Sequence, residues 1–67
     1  MRILRQETVS LGRRVTVILQ LYETEDRRWP YATLLIDPET AEEIWKRRFA
    51  TLDAATTDFI RRLAEYQ

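Results

Sequence analysis

The 67-residue chain contains no cysteine and no histidine, and only one glycine, one lysine and two prolines. Without cysteine there are no disulfide staples, thiolate metal ligands or thiol nucleophile, and without histidine there is no imidazole base. The lone glycine, Gly12, cannot supply a glycine-rich phosphate loop. Apolar runs such as Val17-Ile18-Leu19 are strand-sized, far short of the ~20 residues of a membrane span. Arg2 and Arg5 are followed by Glu7 with no apolar region ending in small residues, so no secretory signal is expected. The expected location is cytoplasmic. Beginning at Met1 and entering a strand-like segment at once, the chain is expected to be a complete small reading frame, one domain over residues 1–67. Neither sign of charge is in excess: 11 basic and 11 acidic side chains give a net charge of zero. The whole molecule therefore has no general pull toward nucleic acid or anionic lipid.

What is present suits a packed domain. Apolar residues make up 45% of the chain and charged residues 33%, which argues against a disordered tail. A chain this short buries only ~60% of the surface it exposes when unfolded, so its core is thin. Arginine outnumbers lysine ten to one. A high-GC coding sequence accounts for that without functional meaning. Arginine is also the residue that grips carboxylates, phosphates and aromatic faces.

Residues 2–9 are expected as a first strand, followed by a turn over Ser10-Leu11-Gly12-Arg13. Residues 14–23 carry the clearest period of two, with Val15, Val17, Leu19 and Leu21 on one face and Thr16, Ile18, Gln20 and Tyr22 on the other. A charged loop, Thr24 to Arg28, leads through Trp29-Pro30 into a third strand over 31–36. Asp37-Pro38-Glu39-Thr40 has the residues of a type I turn, although Pro38 to Arg48 also reads as a short helix. Turn and then strand is the preferred reading, because Trp45 and Phe49 share strand parity. Thr51 is a good N-cap for a helix over 52–66, with Leu52, Ala55, Phe59, Ile60, Leu63 and Tyr66 at helical spacing. Asp53 suits its first turn, and Arg61 and Arg62 are expected to complement the dipole toward its far end. The predicted class is α+β, a four-stranded antiparallel meander (β-β-β-β-α) with one C-terminal helix packed on one sheet face.

One helix of ~22 Å covers one face of a small sheet and no more. The covered face is expected to take Val15, Val17, Leu19, Leu21, Ala32, Leu34, Ile36, Trp45 and Phe49. That leaves Ile18, Tyr22, Tyr31, Thr33, Leu35 and Ile44 on the open face, among threonines, Gln20, Lys46 and Arg48. Such an apolar open face points to a protein partner, a second copy above all. The expected binding residues are Ile18, Tyr22, Tyr31, Leu35 and Ile44, with Trp29 at the rim. Strand addition along residues 2–9 is another route.

Material for catalysis is thin. Ser10 has no activating base, since the only lysine, Lys46, lies in a different strand, and the carboxylate pairs Glu25/Asp26 and Glu42/Glu43 fall in turns. Asp37, Glu39, Glu42 and Glu43 do not follow a calcium-loop pattern. A non-catalytic protein with no metal, cofactor or membrane partner is expected.

The second reading is a nucleic-acid-binding module. Arginine occurs as four adjacent pairs, at 13–14, 27–28, 47–48 and 61–62. Arg27 and Arg28 adjoin Trp29, combining charge with a stacking surface, and Lys46 and Arg48 share a strand face. Strand alternation, however, sends Arg47 to the opposite face. The segment Arg48-Phe49-Ala50-Thr51-Leu52-Asp53-Ala54-Ala55, a strand ending in aromatic-x-Thr before an alanine-rich helix, resembles the last strand and helix of arm-type DNA-binding domains of tyrosine recombinases. The likeness covers roughly a dozen residues and implies a sheet that enters the major groove of DNA. This chain departs from it in having a fourth predicted strand and no basic excess.

Overall fold

The structure, a computed structural model, describes residues 1–10, 12 and 15–66. Its elements are β1 (Arg2–Ser10), β2 (Thr16–Glu23), β3 (Tyr31–Ile36), β4 (Glu43–Phe49) and α1 (Leu52–Tyr66). The strands form one antiparallel sheet in the order β1-β2-β3-β4, and the helix packs on one face of it. The α+β meander is as the sequence predicts.

Local chemistry explains the connections. After β3 the chain reverses rather than entering a helix, because Asp37 gathers the loop around itself. Its side-chain Oδ1 accepts from the Glu39 amide (2.9 Å), its carbonyl accepts from Ala41 (2.8 Å), and its amide donates to the Glu42 carbonyl (3.0 Å). Closing that loop holds Ala41 at φ 60°, a left-handed conformation that L-residues disfavour. Gly12 has φ 81°, as a tight turn requires; Leu11, Arg13 and Arg14 of the expected turn and first arginine pair lie outside the described residues. Val15, expected under the helix, precedes β2 and is exposed. The helix starts where Thr51 Oγ1 accepts from the Ala54 amide at 3.2 Å. Its last turn carries no basic residue. Arg61 and Arg62 do not serve the C-terminal dipole and instead reach back to Asp58.

The main core lies between helix and sheet. Val9, Val17, Leu19, Leu21 and Leu35 meet Ala55 and Phe59, with Leu4, Tyr31, Trp45, Phe49, Leu63 and Tyr66 packed around them. Each fully buried large side chain there, Phe59 and Leu19 included, stabilises the fold by ~1.5–3 kcal/mol.

β3 corrects the expected faces. Leu21 pairs with Thr33 and Leu19 with Leu35, so Tyr31, Thr33 and Leu35 lie on the helix side and Ala32, Leu34 and Ile36 on the other. Both parities of this strand are apolar, and periodicity could not choose between them. A polar contact accompanies the observed choice: Thr33 Oγ1 donates to the buried carboxylate of Asp58 at 2.7 Å.

The face turned away from the helix is not an open apolar surface. Tyr22 is 2% exposed and Leu34 6%, and they cluster with Ala32 and Ile36. Gln20 and Lys46 are the direct cross-strand neighbours of Leu34. Gln20 is held by a 2.7 Å hydrogen bond from its Nε2 to Gln6 Oε1, and the Lys46 ammonium stands 5.5 Å from the Tyr22 ring centroid. Long polar side chains laid over apolar ones seal this second cluster without a second layer.

Candidate functional site

The loop between β2 and β3 is tied together by its own polar side chains. Thr24 donates from its amide to the Pro30 carbonyl (2.7 Å) and from Oγ1 to the Trp29 carbonyl (2.9 Å). Asp26 Oδ1 accepts from the amides of Arg28 (2.8 Å) and Trp29 (3.2 Å). The Arg28 amide, then that of Trp29, and the nearby Arg48 charge hold the Asp26 carboxyl below the usual aspartate range. The Asp26 carboxylate at the centre of this charged loop is thereby engaged by backbone donors. The Trp29 backbone is thus held where the loop closes before β3, and the residue remains 39% exposed, a large exposure for tryptophan.

β4 is an edge strand, and it brings three consecutive cations to the same place. Trp29, Lys46, Arg47 and Arg48 line one hollow of about 550 Å³. Arg27 and Arg28 are exposed in the adjoining loop. Arg47 also stands 5.8 Å from the Phe49 ring centroid on the helix side. Alternation excluded it from the expected set, but at an outer edge the two faces are not separated by a neighbouring strand. The signal was in the sequence: the last strand of a meander has a free edge, so three cations in a row there can converge.

Ion pairing separates these cations from the rest. Arg2 pairs with Glu23 (3.2 Å), Arg5 with Glu7 (3.7 Å), and Arg61 and Arg62 with Asp58 (2.8 and 3.7 Å). Among the described residues, the arginines and lysine without a salt bridge are Arg27, Arg28, Lys46, Arg47 and Arg48. All five lie in the loop and edge strand around Trp29. The carboxylates of Asp37, Glu39, Glu42 and Glu43 sit toward the opposite end of the sheet, in and after the β3–β4 loop.

The residues expected to bind a protein partner are dispersed. Ile18 and Tyr22 lie on the face away from the helix, with Tyr22 already sealed. Tyr31 and Leu35 lie on the helix side, Leu35 within the main core. Ile44 occupies the irregularity where pairing with β3 shifts, and it is 49% exposed. The two edge strands both carry such an irregularity together with charged residues, β1 between Ile3 and Arg5. Those features discourage strand addition.

A second hollow, about 400 Å³, runs between β4 and α1 past Arg47, Asp53, Asp58 and Arg61. Asp58 is 5% exposed and takes its hydrogen bonds from Thr33 and Arg61, and Arg61 in turn holds its proton more tightly because of that bond. The Arg62 guanidinium lies 4.5 Å from the Trp45 ring centroid, while its Nε has no hydrogen-bond partner. Trp45 Nε1 donates to the Tyr66 hydroxyl at 3.2 Å. Apart from the Arg62 Nε, which only faces Asp58 at 3.7 Å, these groups pair with one another and join helix to sheet. Among the described residues no three acidic side chains group to hold a metal, and no helix is long and apolar enough to cross a membrane.

No protein-family model matches this chain, and no curated protein or solved structure matches it.

Proposed function

We propose that the chain is a non-catalytic nucleic-acid-binding module whose contact surface is Trp29, Lys46, Arg47 and Arg48, flanked by Arg27 and Arg28. One observation carries the reading: the described cations left without a carboxylate partner gather around a single exposed tryptophan. Unpaired arginine and lysine attract phosphate without first breaking an internal ion pair, and an aromatic ring offers a stacking face. Net neutrality is a sum over the whole chain: Asp37, Glu39, Glu42 and Glu43 stand toward the other end of the sheet, while Glu25 and Asp26 share the loop with Arg27 and Arg28 and offset part of its charge. Anisotropy titration of labelled mixed-sequence oligonucleotides at low salt tests it. Binding is expected for the wild type and for Arg2→Ala, which removes a paired cation, and is expected to be lost in Lys46→Glu/Arg48→Glu. No binding by the wild type at low salt, where phosphate contacts are strongest, would end the reading.

A second reading, self-association through the face away from the helix, is favoured by Ile3 and Ile44, each 49% exposed beside the sealed cluster. Light scattering after size exclusion is then expected to give a dimer mass, and a monomer at high micromolar concentration rejects it.

A further inference from the structure

We infer that the nucleic acid taken by this surface is a single strand, with one base stacked on Trp29 and its flanking phosphates held by Lys46 and Arg48. The inference rests on the nucleic-acid reading above and narrows it to one kind of ligand.

Three features of the site select a single strand. Trp29 is exposed and yet held in place, because its amide and its carbonyl are both bonded within the loop, to Asp26 and Thr24. With the backbone held, only the rotamers of the indole itself remain to be ordered on stacking. In a duplex the bases stack on one another, so only an unstacked base presents a face to the indole.

On the face away from the helix the cations of β4 form a line and not a field. Lys46 and Arg48 are two residues apart on an edge strand, so they share a face at a spacing of ~7 Å. Farther across that face the positions are neutral, with Gln6 paired to Gln20 and Thr8 opposite Ile18. Among the described residues a second phosphate chain, as in a duplex, would find no cations at those positions.

The line is also short. Toward the start of β4 it meets Glu42 and Glu43, which repel phosphate, so the footprint is a few nucleotides at the small end of the range for single-strand binders, about four. The hollow of about 550 Å³ beside Trp29 is open to solvent and has room for a small ring system laid against it.

The test compares a short oligo-dT, an oligo-rU, a mixed-sequence duplex and inorganic polyphosphate, with anisotropy or competition for affinity and tryptophan fluorescence for stacking. Both single strands are expected to bind at least about tenfold more tightly than the duplex and to quench tryptophan emission. Trp29→Ala is expected to weaken oligo-dT binding about tenfold and leave polyphosphate binding unchanged. Trp29→Phe, which keeps a ring, retains most of the affinity but abolishes the quench. The emission of Trp45 in both variants reports that the fold is intact. Duplex binding as tight as single-strand binding, or a Trp29→Ala variant with wild-type oligo-dT affinity, overturns the single-strand inference and leaves nucleic-acid binding standing. Failure of every nucleic acid to bind overturns both.

Discussion

Asp26 shows how one side chain can serve a charged loop without neutralising it. Its carboxylate accepts from two backbone amides, and its pKa is lowered. A depressed folded-state pKa means the carboxylate's contribution is fully present above the ordinary aspartate value and fades as pH falls through the depressed one. Hydrogen exchange of the Arg28 and Trp29 amides, taken as protection relative to the intrinsic rate at each pH, should therefore hold from neutral pH down to about 4 and weaken below that. Asp26→Ala should quicken it at neutral pH. Ala41 is a residue-scale liability of another kind. At φ 60° it occupies a conformation that glycine adopts freely, so Ala41→Gly should raise unfolding stability in urea by about 0.5–1 kcal/mol. The amino-acid types at 37–40 announce a turn, but the strain at Ala41 depends on how that turn meets β4.

At the scale of elements, boundaries were legible and faces only in part. β3 and α1 lie where the sequence places them, because Pro30 and Asp37-Pro38 bracket the strand and Thr51 caps the helix. Thr51→Ala should cost about 1 kcal/mol, read as a lower melting midpoint. The faces of β2 followed from its alternation. Those of β3 did not, since Ala32, Leu34 and Ile36 are as apolar as Tyr31 and Leu35, and the strand's register with β2 set its orientation. Thr33→Val keeps the shape of that strand but strips the buried Asp58 carboxylate of a donor. It should destabilise the domain by about 1–2 kcal/mol, measured by chemical denaturation. The hydroxyl at Thr33 had no special mark in the sequence. Its role appears only when a helix residue 25 positions away is brought over it.

The whole molecule is neutral in sum, and its unpaired cations are unevenly placed. Cations without partners gather at the β2–β3 loop and along β4, while Asp37, Glu39, Glu42 and Glu43 lie toward the far end of the sheet. Binding at the Trp29 surface should therefore depend on salt as if the protein were basic. With about four phosphates of a single strand neutralised, at ~0.7 each, log affinity against log salt should have a slope of roughly −3, measured between low and moderate salt. A slope near zero would mean that these cations do not meet phosphate. Thinness of the core, which the chain length implied, is met here by burial on both sides of the sheet. The second cluster, around Tyr22 and Leu34, has Lys46 and Gln20 as its cross-strand neighbours, with the Lys46 ammonium over the Tyr22 ring.

The sequence by itself determined the class of fold, the order of its elements, and the absence of thiol and imidazole chemistry. Those follow from local rules: period-two and helical spacing, proline and glycine punctuation, a capping threonine, and composition. Tertiary structure alone decided which side of β3 meets the helix, that the face away from the helix is sealed, and which arginines are free. Each of these is a non-local outcome. Register depends on how neighbouring strands pair, sealing depends on long side chains from two strands leaning over a third, and a cation is free only if folding brings no carboxylate within reach.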